Sequence, residues 1–112
     1  MKVAVIGSDG IIVPNLQEFL PKECTEIISG GETSVEICAK EYAKAYKIKL
    51  TEFIPNYENH KKIAIFKRNF KIIKKSDFIL AFWDEKSLET KHIIDNCKKT
   101  GKPMKIILAI NL

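Results

Sequence analysis

Short apolar runs alternate with longer mixed segments along the whole chain. Residues 3–6 form a β-rich run that ends at Gly7-Ser8-Asp9-Gly10. Residues 27–28 are a shorter run closed by Ser29-Gly30-Gly31. Residues 48–54 alternate as a strand does and stop at Pro55-Asn56. Residues 78–83 are apolar throughout and halt at Asp84, and residues 104–110 follow the turn signal Thr100-Gly101-Lys102-Pro103. Near-continuous apolar strands are buried on both faces, which is the condition of a parallel sheet covered by helices.

The segments between the runs read as helices. Pro14 opens one that reaches about Leu20, since proline is tolerated in a first turn. Thr33-Ser34-Val35-Glu36 has the form of a capping box, and behind it Val35, Cys38, Ala39, Tyr42 and Tyr46 keep a helical period. Ile63, Phe66, Phe70 and Ile73 form the next stripe, with Lys67, Arg68, Lys71, Lys74 and Lys75 off it. Ser87 caps a last helix whose inner face carries Ile93, Ile94 and Cys97. The order is β-α-β-α-β-α-β-α-β with right-handed crossovers. It predicts a single domain over residues 1–112, a three-layer Rossmann-like α/β sandwich on a five-stranded parallel sheet. Strand order 3-2-1-4-5 is the first choice and the flavodoxin-like 2-1-3-4-5 the alternative. Either places the switch point beside the first strand, so the loops after strands one, two and four border one crevice.

Composition narrows the classes. At 112 residues and 46% hydrophobic, the chain can bury one core, and its 29% of charged residues is ordinary for a globular domain. No apolar run approaches the ~20 residues of a membrane helix. The first apolar stretch is too short for a signal peptide, so a cytoplasmic protein is expected. Cys24, Cys38 and Cys97 are odd in number and lack C-x-x-C spacing, which predicts reduced thiols and no metal site or cofactor. The net charge is +5, but acids are mixed among the lysines and Arg68 is the one arginine. Duplex readers lean on arginine, so sequence-specific DNA binding is not expected.

Four segments carry candidate chemistry. Gly7-Ser8-Asp9-Gly10 offers close backbone approach and a hydroxyl, and serves equally as a plain turn. Gly30 and Gly31 lead into a helix N-terminus suited to an anion, with Glu32 and Glu36 bringing opposing charge or binding ribose hydroxyls. Asp84, Ser87 and Thr90 stand where a ligand hydroxyl or phosphate is held, or simply cap a helix. Arg68-Asn69 sets a planar fork in a chain that otherwise uses lysine. Trp83 reads as a packing residue, and His60 and His92 as solvated, with no nucleophile–base pair in sight.

Taken together, residues 2–8, Ile28-Ser29-Gly30-Gly31, Lys67-Arg68-Asn69, residues 76–84 with Ser87 and Thr90, and Gly101-Lys102-Pro103 resemble the SLOG superfamily. That Rossmann-like group includes phosphoribohydrolases and the nucleotide-binding fold of the DNA-processing protein. A small YpsA-like bacterial and phage branch is the most similar. The resemblance covers nearly the whole chain. It implies a nucleotide or nucleotide-derived ligand, with phosphate near Gly30, Gly31 and Thr90 and Arg68 and Asn69 alongside, and it implies homo-oligomers. The chain departs from that pattern at Asp9, where a basic residue is usual, and at residues 32–36, where small residues and an aspartate are. Glu89 stands where a glycine belongs, and Ile93 stands where enzymatic members have a glutamate.

The expected ligand site is therefore Gly7, Ser8, Gly30, Gly31, Glu32, Arg68, Asn69, Asp84, Ser87 and Thr90. The leading reading is a non-enzymatic module for a nucleotide or nucleotide-derived small molecule. The first alternative is hydrolysis or transfer at an N-glycosidic bond, using Glu32, Glu36, Asp84 or Glu89. The second is an assembly partner with a decayed crevice, whose interface would use Tyr42, Tyr46 or Phe53.

Overall fold

The computed structural model describes residues 1–58 and 60–112. Five strands form one parallel sheet: β1 (Lys2–Gly7), β2 (Glu26–Ser29), β3 (Lys49–Glu52), β4 (Phe78–Trp83) and β5 (Met104–Leu108). Three helices join them: α1 (Ser34–Ala45), α2 (Lys61–Lys75) and α3 (Leu88–Thr100). The strand order is β3-β2-β1-β4-β5, the first of the two orders predicted. Helices on both faces make it a three-layer Rossmann-like sandwich.

Strand period explains the two cores. Side chains alternate across a strand, so Val3 and Val5 of β1 pack on the α1 layer with Val35, Ala39, Leu80 and Phe82. Ala4 and Ile6 pack on the opposite layer with Ile72, Ile73, Ile93, Ile94 and Cys97. β1 is central because it is apolar on both sides, and it pairs with β4 from Val3↔Phe78 to Gly7↔Phe82. Burial pushes the Cys97 thiol up to about 11, and all three cysteines are free.

Two expectations need correction. The segment from Pro14 to Leu20 is not an α-helix; it holds one 3₁₀ turn, Leu16–Glu18. Two prolines bracket it, and the residue before Pro21 is biased away from helical geometry. The Asn15 side chain bonds Glu18 rather than capping a backbone N–H. The apolar residues of this segment and of the loop before it still reach the core: Ile11, Val13 and Leu16 are buried, and Phe19 meets Phe82 edge-on at 5.4 Å.

The second correction is the phase of α2. Its inward residues are Ala64, Ile65, Arg68, Asn69, Ile72 and Ile73. Ile63 and Phe70, read as core, are 50% and 52% exposed, and Arg68, read as lying off the stripe, is 7% exposed. An apolar-stripe reading rejects an inward arginine because buried charges need partners. Here the partners exist: the Arg68 Nε donates to Asn69 Oδ1 at 2.9 Å, and Nη1 donates to the Gly30 carbonyl at 3.2 Å. The strands also stop short of their runs, leaving Ile54 and Ile110 exposed.

Gly7, the last residue of β1, stands where a side chain does not fit. A Cβ there would stand 2.7 Å from the Phe82 carbonyl oxygen and 2.7 Å from Val35 Cγ2. The β4 backbone is fixed by the sheet and cannot retreat. Gly7→Ala is therefore expected to lower stability by about 1–3 kcal/mol. A urea titration will read this as a reduced midpoint at unchanged slope.

Candidate functional site

A cavity of about 280 Å³ opens where β1 and β4 send their following segments to opposite sides of the sheet. Ligand crevices of open α/β sheets lie at this switch point, beyond the carboxyl ends of the strands. Gly7 and Asp9 enter it from the β1 loop, Thr33 and Glu36 from the start of α1, and Arg68 and Asn69 from α2. Asp84, Ser87, Glu89 and Thr90 enter from the loop after β4 and the first turn of α3, with Ile6 and Ile93 as apolar floor.

Six of the ten expected site residues line this cavity: Gly7, Arg68, Asn69, Asp84, Ser87 and Thr90. Ser8 lies beneath it, buried, with its Oγ donating to Asp84 Oδ1 at 3.1 Å and sharing a hydrogen bond with Thr90 Oγ1 at 3.3 Å. Gly30, Gly31 and Glu32 do not line it; Gly30 and Glu32 are bonded to Glu36 and Arg68, which do, and Gly31 lies against Glu52 and Ile54.

The start of α1 is already occupied by the chain's own anion. Helix N-termini attract negative charge through their free N–H groups. At α1 the Glu36 carboxylate, 3% exposed, accepts from the N–H of Gly30 at 2.8 Å, Glu32 at 3.1 Å and Thr33 at 3.0 Å. Thr33 Oγ1 returns the bond to the Glu36 N–H, which completes the capping box. The sequence reveals that box, but not that the same carboxylate also takes the N–H of Gly30. A Cβ at position 30 would push the Arg68 guanidinium and the Glu36 carboxylate away from the backbone they hold.

Ahead of α3, Asp84 fastens the loop, and its carboxylate stops short of the helix's first turn. Its Oδ1 accepts from the N–H of Lys86 and of Ser87, both at 2.8 Å, and these bonds hold its carboxyl below the ordinary range. Ser87 Oγ in turn accepts from the Thr90 N–H at 3.3 Å and the Thr90 hydroxyl at 3.2 Å. Asp9 is likewise engaged, accepting from Ser34 N–H at 3.1 Å.

Arg68 is the cavity's cation. Beyond Asn69 and Gly30, its Nη1 reaches Glu32 at 3.3 Å and the Phe53 carbonyl at 3.4 Å. Among the described residues no acceptor meets Nη2, and no fully buried side-chain nitrogen lacks a partner, so this arm touches solvent. Glu32 is held from its other side by the Tyr57 hydroxyl, and that hydrogen bond is the main reason the Tyr57 pKa is pushed up to about 12. Glu89 is exposed, and no hydrogen bond to its carboxylate is formed among the described residues.

His92 was read as solvated, and the structure corrects this. Its ring stacks on Phe66 at 4.1 Å, meets Phe70 edge-on at 5.6 Å, and Nδ1 lies 3.4 Å from the Asn69 amide nitrogen. The misphased α2 stripe hid this contact. His60 instead caps α2 by accepting from the Lys62 N–H at 3.3 Å. Trp83 packs on the core formed with α2 and α3 as expected and donates to the Ser87 carbonyl at 3.2 Å.

Among the described residues no three His, Cys, Asp or Glu side chains converge to hold a metal, and no helix is long and apolar enough to cross a membrane. Comparison of the chain with family models, curated proteins and solved structures found no match.

Two measurements follow from this geometry. Glu36→Ala strands the buried Gly30 N–H and frees two more donors. It is expected to cost about 2 kcal/mol or more. Inorganic phosphate should recover part of that loss in thermal unfolding and shift the wild-type protein less. The second concerns pH. Burial lowers the His92 pKa from its ordinary 6.5, with Lys99 adding to the effect and Asp95 opposing it. The folded state then binds this proton less readily than the unfolded chain. Stability is full above about pH 7 and falls as pH drops through the ordinary value toward the folded one. His92→Gln is expected to flatten that slope in denaturation midpoints taken between about pH 7 and pH 5.

Proposed function

We propose that the switch-point cavity binds a nucleotide or nucleotide-derived small molecule and that the domain acts as a binding module. The observation that carries this reading is the cavity's place and lining. It lies at the crevice of a Rossmann-like sheet, and hydroxyl, amide and guanidinium groups from four segments converge there. The resemblance to the SLOG superfamily supports the same ligand class.

The lining charges refine the ligand. Four carboxylates, from Asp9, Glu36, Asp84 and Glu89, share the cavity with one guanidinium. Hydroxyl donors of a sugar suit such a wall, and a polyphosphate does not. The Gly30 N–H, expected to meet phosphate, is held by Glu36. A single anionic group is therefore assigned to the open arm of Arg68 and the first turn of α3 near Ser87 and Thr90. The ligand favoured is one with sugar hydroxyls and one phosphate.

Thermal unfolding against AMP, cyclic nucleotides, NAD, ADP-ribose and ATP tests this. A ligand at about 100 times its Kd adds roughly 2.7 kcal/mol, a shift on the order of ten degrees for a domain of this size. Monophosphates are expected to shift the midpoint more than ATP, and Arg68→Lys to remove most of the shift, because the fork is lost. A folded wild-type protein that responds to none of the panel excludes the reading.

A second reading rests on Glu89. It is the lining carboxylate without a hydrogen-bond partner among the described residues, whereas Asp9, Glu36 and Asp84 are engaged. Cleavage or transfer at an N-glycosidic bond needs such a carboxylate near the sugar. Release of free base from a nucleoside and nucleotide panel, lost in Glu89→Gln, would establish it.

A further inference from the structure

Helix α2 holds seven of the chain's nineteen Lys and Arg residues and none of its fourteen Asp and Glu residues, so the remainder of the chain carries a net charge of −2. The basic character of the protein is thus one helix. Lys67, Lys71 and Lys75 repeat every four residues on it and are all exposed. Like charges at that spacing repel, and α2 has no acid to relieve them.

This row does not stand on a convex surface. A hollow of about 470 Å³ between α2 and the segment after β3 is lined by Lys67, Lys71, Arg68, Phe53 and Asn56. A second, of about 210 Å³, is lined by Lys75, Lys2, Lys49, Thr51 and Phe53. Phe53, half-buried, lines both, so the two hollows adjoin at an aromatic ring, and together they are treated as one groove beside α2. The opposite bank is β3, an edge strand with β2 as its one neighbour. Two carboxylates enter the groove against five lysines. Glu26 is taken up by Lys49 at 3.6 Å and by the Thr51 hydroxyl at 2.7 Å, and the other is Glu52.

We propose that this groove binds single-stranded nucleic acid without sequence preference. Lys67, Lys71, Lys75, Lys2 and Lys49 hold the phosphodiester backbone, and Phe53 offers a face for a base. A cationic groove with an interleaved aromatic is the physical basis of single-strand binding, because every base has a face to stack and every link a phosphate. The concavity favours a strand over a bilayer, which is flat. The exposed apolar residues of α2, Ile63 and Phe70, are absent from both hollows, and the one exposed large apolar side chain that lines them is Ile54. The lack of arginines other than Arg68 disfavours duplex base reading. The site is separate from the switch-point cavity and shares only Arg68 with it.

Fluorescence anisotropy of labelled oligothymidylate and oligouridylate, about 20 nucleotides long, reads the affinity against salt. The log of the binding constant should fall with log salt at about −0.7 per phosphate contacted, and five lysines give a slope near −3.5. Lys67→Gln with Lys71→Gln should weaken binding about tenfold or more and reduce the slope by about 1.4. Phe53→Leu should weaken binding about tenfold with the slope unchanged. Lys98→Gln with Lys99→Gln, on exposed positions of α3, should leave both unchanged. Thermal unfolding confirms that each variant is folded. Equal losses from the α3 pair, tighter binding of a duplex, preference for anionic vesicles, or no binding at low salt would each overturn the proposal.

Discussion

Everything at the carboxyl edge of the sheet depends on how the backbone of one residue, Gly30, is held. Its N–H is taken by the Glu36 carboxylate and its carbonyl by the Arg68 guanidinium. Both charges are nearly out of water, and they are tolerable there because each meets polar partners of opposite sense. The pair fixes the loop after β2, orients the start of α1 and turns the polar face of α2 inward. Without a side chain at position 30 the two groups can approach the same backbone from both sides. The arginine that the sequence offers as a ligand hook is first a structural pin, with one arm left over.

The same economy governs the cavity. A Rossmann-like crevice usually meets anions with bare helix starts. Here Glu36 fills one start and Asp84 fastens the loop leading into the other. The chain supplies internally the negative charge that a phosphate would bring. What stays open is a polar hollow with hydroxyls and carboxylates, better matched to donors on a ligand than to multiple phosphates.

Much of this was legible in the residues. Apolar runs with no polar interruption fixed a parallel sheet, because only burial on both faces permits them, and Thr33 and Glu36 announced the capping box in their spacing. Three things were hidden. The prolines at 14 and 21 limit the first crossover to one 3₁₀ turn, although the composition between them is helical enough. The phase of α2 was lost because hydrophobic periodicity ranks Phe70 above Asn69 as a core residue, and tertiary partners reverse that ranking. The partners of Glu36 are set by how the β2 loop folds back, which no local pattern encodes, so the carboxylate read as a rival to phosphate at the α1 start was in fact its occupant. Six of the proposed ligand contacts share one cavity because the topology, once known, puts those loops together.

The position of β1 has a kinetic consequence. It lies between β2 and β4, and its contact with β4 joins residues 75 apart in sequence, from Val3 to Phe78. No hairpin can form early, since every pair in the sheet is parallel. Such long loops must close before any strand contact rewards them, and folding slows accordingly. During synthesis β1 and β2 emerge with an apolar flank that nothing covers until residue 83 has been made. The crevice therefore comes into being late, with only the rest of α3 and β5 to follow. Ser8 waits on Asp84 and Thr90, and a chain interrupted anywhere before α3 has a sheet in prospect but no cavity.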